Sequence, residues 1–433
     1  MVKPKKPNGR MKIRICILVS VLLSLFGISP AKGVTVYRTE ALHPSIQTIR
    51  TRVFDKAYFP PVIQLDNDDR LIISFDMFAE QNEYLEYRII HCNADWTPSA
   101  LSVMEYLDGF DRNPVDEGEL SFNTFRHYVH YTIELPNESV RFKVSGNYVM
   151  IVFPENQPEN PLLQVCFSVF ERRVNVPVSV TTRTDIDYNR EHQQLEFSVL
   201  HPNYDIRNPH TDLKIYLSQN NRNDNEVRID RPLYTKSDEL VYAHNPGLIF
   251  EAGNEYRRFE MVSTRYAGIH VERIQYFDPY YHVDLYPDQP RSKGNYLFDQ
   301  TQYGHFTIRQ SDADDSDTEA DYFVVHFFLD YDNALLPGAI YIDGEFTHGQ
   351  FSEQNKMKYN FETKRYEKDL YLKQGSYNYQ YLFVPHGEKR GTTALIEGNF
   401  HETKNEYLVK VYHRIPGERY DRLIGLGRSI SNE

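Results

Sequence analysis

The chain reads as all-β: three consecutive immunoglobulin-like or early-set β-sandwich domains behind an N-terminal leader. Three observations predict this. Aromatic residues make up 14% of the chain, with 33 Tyr and 26 Phe, and these side chains suit half-buried pleated surfaces. Short runs of alternating apolar and polar residues recur between turn residues at the spacing of a sandwich. No segment carries a sustained helical period. At 433 residues, a chain of several domains is expected.

The leader comes first. Lys3, Lys5, Lys6, Arg10, Lys12 and Arg14 precede an apolar run from Ile15 to Ile28, and Ser29-Pro30-Ala31 supplies small residues for cleavage. This pattern predicts a secretory signal peptide over residues 1–31. The apolar run is 14 residues long, too short for a spanning helix of about 20. Met11 is an alternative start. Removing residues 1–31 takes six cations and no anions from the 48 Lys and Arg and 61 Asp and Glu, leaving a net charge of −19. Such a surface repels phosphate backbones and anionic lipid, which speaks against nucleic-acid binding and membrane insertion.

A first sandwich is expected over residues 34–172. Its strands are read at Pro61–Leu65, Arg70–Phe78, Tyr84–Cys92, Phe125–Leu135, Asn147–Phe153 and Leu163–Phe170, with a turn at Asp66–Asp69. The exception to its regular spacing is Thr97–Leu120, a long loop in which Ser99–Tyr106 can form a short helical turn. Loops of this length are often functional. Glu171–Val180 reads as a linker strand into a second sandwich over 173–309. Strands are expected there at Gln193–Leu200, Leu213–Gln219, Leu240–His244, Tyr256–Ser263 and His270–Gln275. Residues 310–321 hold the acidic run SDADDSDTEAD and are expected to be a solvated linker. A calcium loop of the EF-hand type is not supported there, because its central Gly is missing. A third sandwich is expected over 322–415, with strands at Tyr322–Leu329, Gly338–Asp343, Met357–Phe361, Arg365–Tyr371, Asn378–Val384 and Glu406–His413. Residues 416–433 read as a tail. There is no fixed-period repeat.

The residues suggest no catalysis. His91 and Cys92 are neighbours on a strand, so their side chains point to opposite faces and cannot act as a nucleophile pair. His127 and His130 are three apart on a strand and make a poor metal pair. Cys-x-x-Cys and His-Glu-x-x-His are absent, and no paired carboxylates stand out. No cofactor or metal is expected. Cys92 and Cys166 lie on the polar parity of their strands, with Asn147–Phe153 expected between them. Two strand spacings are about 9–10 Å, beyond disulfide reach, so both are expected to be free thiols.

The landmarks of the first domain carry more information than any motif. His91-Cys92 ends a strand. Asp95-Trp96, Pro98-Ser99, Tyr106-x-Asp108-Gly109-Phe110, Ser121-x-Asn123-Thr124, Pro136-Asn137 and Ser145-Gly146-Asn147-Tyr148 then follow in order. This series closely resembles the plug proteins of the type IX secretion system. The likeness continues through Gln219–Asn225 and the stretch Gly253-Asn254-Glu255-Tyr256-Arg257-Arg258-Phe259. The resemblance implies a non-enzymatic periplasmic plug, held at the inner side of the outer membrane by its partner. That partner is the large β-barrel translocon, whose periplasmic end the plug closes. Two readings of the Thr97–Leu120 loop stand side by side: a crossover packed on its own sandwich, or a segment that helps meet the barrel through Trp96, Tyr106, Asp108, Gly109 and Phe110. The segment RYEKDLYLKQGSYNYQYLFV also resembles early-set modules found beside glycan-active enzymes. An exported glycan-binding or glycan-processing protein is therefore the alternative, although the third domain lacks the Trp on which such modules stack sugars.

Overall fold

A computed structural model describes residues 35–432. The leader over 1–31, with Cys16, lies outside the described residues. Among the described residues no helix is long and apolar enough to cross a membrane. The fold is all-β, as expected, and its strands fall into three two-layered modules.

In the first module, one sheet runs Glu40–Ala41, Leu163–Phe170, Gly146–Pro154, Leu85–Cys92, Asn113–Pro114, and Val62–Gln64 lies parallel to Leu163–Phe170. The facing sheet runs Ile46–Val53, Leu71–Met77, Val129–Leu135, Glu119–Leu120. Strand parity decides what is buried between them. Leu71, Ile73 and Phe75 meet Leu85, Tyr87, Ile89, Tyr148, Met150 and Val152 in one core. Gly146–Pro154 pairs with both cysteine-bearing strands, placing Asn147 opposite Cys92 and Val149 opposite Cys166. Both cysteines are free thiols, as that spacing requires. Burial pushes the Cys92 thiol up to about 12 and the Cys166 thiol well above its usual value.

The second and third modules do not follow the expected boundaries. Glu406–His413, expected in the third sandwich, pairs with Leu213–Gln219 and with Arg422–Ile430. The expected tail is therefore a sheet strand. With Val227–Ile229 these strands form one layer. It faces a layer built of Val178–Thr181, His192–Leu200, Glu239–Tyr242 and Tyr234–Thr235. Leu195, Phe197, Leu217, Tyr242, Val409 and Ile424 share that core. Arg422–Ile430 contains Gly425 and Gly427, residues that weaken a strand's intrinsic preference. They are needed because residues 174–178 cross this strand closely: a Cβ at Gly425 would meet Val174 Cγ2 at 2.4 Å.

The third module is inserted into the second. Arg257–Met261 and Val271–Phe277, expected in the second sandwich, belong here. Arg257–Met261, Gly375–Pro385 and Phe306–Ile308 form one layer, and Gly338–Asp343 pairs antiparallel with the far end of the long strand Gly375–Pro385. The other layer runs Val271–Phe277, Tyr280–Leu285, Tyr322–Leu329, Arg365–Lys373, Lys358–Asn360. Phe259, Val283, Phe323, Phe327, Ile340 and Tyr379 fill the core between them. A strand's period fixes which face it buries. It does not fix a partner some 190 residues away.

Candidate partner surface and the polar seam

The Thr97–Leu120 segment is a packed crossover. Glu105 Oε2 accepts from the Ser102 backbone N–H and Oγ, both at 2.8 Å, which closes a capping box and starts the single helical turn Val103–Tyr106. Leu107–Gly109 then pairs with Val140–Phe142, Asn113–Pro114 with Leu85–Cys92, and Glu119–Leu120 with Val129–Leu135. Arg419 of the second module donates to the Ala100 carbonyl at 3.0 Å and ion-pairs with Glu105.

This architecture separates the five expected contact residues. Tyr106 is buried in the core and donates to the Ile89 carbonyl at 3.0 Å. Burial holds its phenol at about 12. It cannot meet a partner, because the helical turn points it inward at the same place where His91 packs against Tyr148 and Tyr420. Trp96 is half-buried, with Lys410 Nζ 5.7 Å from its ring centroid. Its φ is +63°, held by an Asn93 carbonyl that accepts from its N–H at 3.0 Å. Asp108, Gly109 and Phe110 are exposed, Phe110 by 75%. Gly109 has φ +147°, and a Cβ there would lie 2.1 Å from the Ser139 carbonyl oxygen, so only glycine fits. Met104, 81% exposed on the same helical turn, adds an apolar side chain that the strand reading missed. The free edge of the crossover is thus Met104, Asp108, Gly109 and Phe110.

His91 and Cys92 face opposite sides of their strand, His91 among tyrosines and Cys92 beside Val149 and Phe153. Burial lowers the His91 imidazole to about 4, so it stays neutral. Among the described residues no group of His, Cys, Asp or Glu is arranged to hold a metal ion.

A second site was not foreseen. The acidic run over 311–321, expected to be a solvated linker, is wedged between the first and third modules. Arg50 Nη2 pairs with Asp317 Oδ1 at 2.5 Å. Asp321 accepts from the Phe125 N–H at 2.7 Å and the Arg126 N–H at 3.3 Å. Tyr128 donates to the Ala320 carbonyl at 2.8 Å. At the centre, fully buried Asp76 accepts from Lys373 Nζ, from the Tyr322 hydroxyl at 2.6 Å and from His130 Nδ1 at 2.6 Å. Burial alone would raise the Asp76 carboxyl. The Lys373 charge and the His130 hydrogen bond outweigh it and hold the group below the usual carboxylate range. Asp317 is likewise held low, Arg50 prevailing over burial. Alternation along Leu71–Met77 points Ser74 and Asp76 away from the module core. The partners of Asp76 come from distant sequence, which a linear reading cannot pair.

Comparison with known proteins fits this architecture. Residues 46–171 match the family model described as the type 9 secretion system plug protein first domain, which spans most of the first module. The chain is 46% identical to a hypothetical protein from Parabacteroides merdae ATCC 43184, known from a crystal structure at 2.30 Å resolution. The match covers 92% of this chain and 100% of that one, with a TM-score of 0.90. A Pseudomonas fluorescens alkylpurine DNA glycosylase, AlkC, bound to DNA containing an abasic site analog, is 15% identical over 29% of this chain and 30% of its own. Its TM-score is 0.18. No curated protein matches the chain. With the landmark series of the first module matched and its sandwich in place, the chain belongs to the type IX secretion system plug protein family.

Proposed function

We propose that this protein is a non-enzymatic periplasmic plug that closes the periplasmic end of the type IX secretion outer-membrane translocon barrel. The observation that carries the reading is the family match over residues 46–171. The physical character of the chain supports it. A wide aqueous pore is sealed by a firm, hydrophilic body that needs no chemistry, and His91 and Cys92 beside the crossover are buried. Seal and release call for a moderate interface with a polar rim and a few apolar anchors. Phe110 and Met104 are exposed apolar side chains on an ordered frame, flanked by Asp108. We assign the barrel contact to this edge, with Trp96 at its margin.

The glycan reading lacks its stacking platform. The only Trp of the chain is Trp96, half-buried beneath Lys410 in the first module.

The test is co-purification. Tagged protein extracted with outer membranes is expected to bring down one very large β-barrel, and Phe110→Ser with Met104→Ser to reduce its yield without loss of folding. Retention of the full yield by the double variant removes the assigned edge. Absence of any large barrel from the wild-type preparation removes the plug reading itself.

A further inference from the structure

Beside the ionic seam, the first and third modules do not close on each other. They leave a cleft of about 720 Å³, lined by Arg50 and Arg52 from the outer face of Ile46–Val53, by Tyr58 and Phe59 from the following loop, and by His305 and Phe306 from the third module. Arg50 is 6% exposed, and while its Nη2 pairs with Asp317, its Nε has no hydrogen-bond partner. Arg52 stands two residues along the same strand face. Among the described residues its guanidinium has no hydrogen-bond or ion-pair partner, and burial and the Arg50 charge lower its pKa. The other charges at the cleft are accounted for. Lys56 pairs with Asp69 at 2.7 Å, Glu134 with Arg70 at 3.0 Å and Glu345 with His305 at 3.0 Å. Asp55 sits exposed in the loop that forms the rim.

Tyr58, Phe59 and Phe306 give the cleft an aromatic wall. The Tyr58 and His305 ring centroids are 5.4 Å apart, joining the two modules across the opening. Asp55 and Tyr58 both hold left-handed backbone, at φ +56° and +55°. Non-glycine residues in that region cluster at ligand clamps. A concave, largely apolar space with a few converging donors is the usual make-up of a small-ligand site. Guanidinium groups match carboxylates in geometry and charge.

We propose that this cleft binds a carboxylate carried on an aromatic or similarly flat apolar frame. The Arg52 guanidinium takes the carboxylate, with the Arg50 charge beside it, and Tyr58, Phe59 and Phe306 take the frame. A bare phosphate would find donors but nothing for its outer oxygens on the apolar wall. The carboxylate can belong to a free small acid or to an acidic side chain of a partner between aromatic neighbours. The proposal does not rest on the plug reading.

The test is calorimetric titration of the mature protein with benzoate, with the blocked peptide acetyl-Phe-Asp-Phe-amide and with inorganic phosphate, alongside Arg52→Gln and Tyr58→Ala. Saturable binding of benzoate is expected if a free acid is the ligand, and of the peptide alone if a partner side chain is. Phosphate is expected to give no saturable heat. A lost charge-assisted hydrogen bond corresponds to about a tenfold or greater weakening, so Arg52→Gln should weaken binding by at least that factor. Tyr58→Ala should weaken it less, and both variants should keep the melting temperature of the wild type. Absence of saturation by either carboxylate overturns the proposal. So does phosphate binding as tightly, or an Arg52→Gln variant that binds like the wild type.

Discussion

The first module touches its two neighbours through seams with different centres, one apolar and one ionic. Against the second module the contact is apolar at heart. Val62, Ala94 and Phe170 pack on Tyr412 and Leu423. Backbone bonds run alongside, the Glu171 N–H donating to the Leu423 carbonyl at 2.8 Å and the Arg173 N–H to the Ile424 carbonyl at 2.9 Å. Against the third module the contact centres on a buried ionic network, with the aromatic pairs Phe78–Tyr322 and Phe125–Tyr281 beside it and clefts of about 720 and 640 Å³ flanking it. Apolar burial is non-directional and survives changes of pH and salt. A buried charge network holds only while every partner is present and ionised. On this contrast the first–third seam is expected to open before the first–second seam as pH falls.

The largest effect is expected from Asp76→Ala, which leaves Lys373 buried without its counter-ion. Breaking one partner of a buried pair costs about 3–5 kcal/mol, to be read from denaturant unfolding. The paired change Asp76→Leu with Lys373→Met should recover most of that loss. A single variant within about 0.5 kcal/mol of wild type, the range of an ordinary surface change, would show that the network bears no load. Leu423→Ala should come next, at about 2–5 kcal/mol for a buried leucine, with a cost that does not vary between pH 5 and 8.

Acid should separate the two seams. Asp76 and Asp317 have pKa values depressed in the folded state. Their stabilisation is complete above the ordinary carboxylate pKa of about 4 and is lost as pH falls through the depressed values. Asp421, in the first–second seam, is also depressed, by Lys214 and the Ala94 N–H against burial, but the apolar cluster beside it remains when it protonates. Amide exchange at residues 125–128 should therefore accelerate below about pH 4 before exchange at residues 171–174. Simultaneous acceleration would erase the contrast.

Smaller effects are expected at the crossover. Gly109→Ala puts a methyl against the Ser139 carbonyl at positive φ and should cost about 1–3 kcal/mol, seen as a lower Tm. Phe110→Ser is a surface change and should stay within about 0.5 kcal/mol of wild-type stability while weakening capture of the barrel. A large stability loss there would make Phe110 a packing residue.

Much of this was legible in the sequence, and the limits have physical causes. Alternation in Arg70–Phe78, Tyr84–Cys92 and Leu163–Phe170 gave the strands, the buried faces and the sides on which Cys92 and Cys166 lie. The landmark series gave the family. The boundaries near 309, 322 and 415 were misplaced because pairing between Leu213–Gln219 and Glu406–His413 is non-local, and alternation carries no information about it. Tyr106 was misassigned because one capped helical turn rotates it inward, a local event hidden in what reads as a loop. The run over 311–321 looked solvated because its partners Arg50, Phe125 and Lys373 come from three distant stretches.

The most direct test of the plug account is the permeability of the outer membrane in cells lacking this protein. A hydrophilic probe too large for ordinary porins should enter the deletion strain faster than the parent, and this entry should disappear when the translocon barrel is removed as well. An unchanged rate of entry in the single deletion would contradict the account.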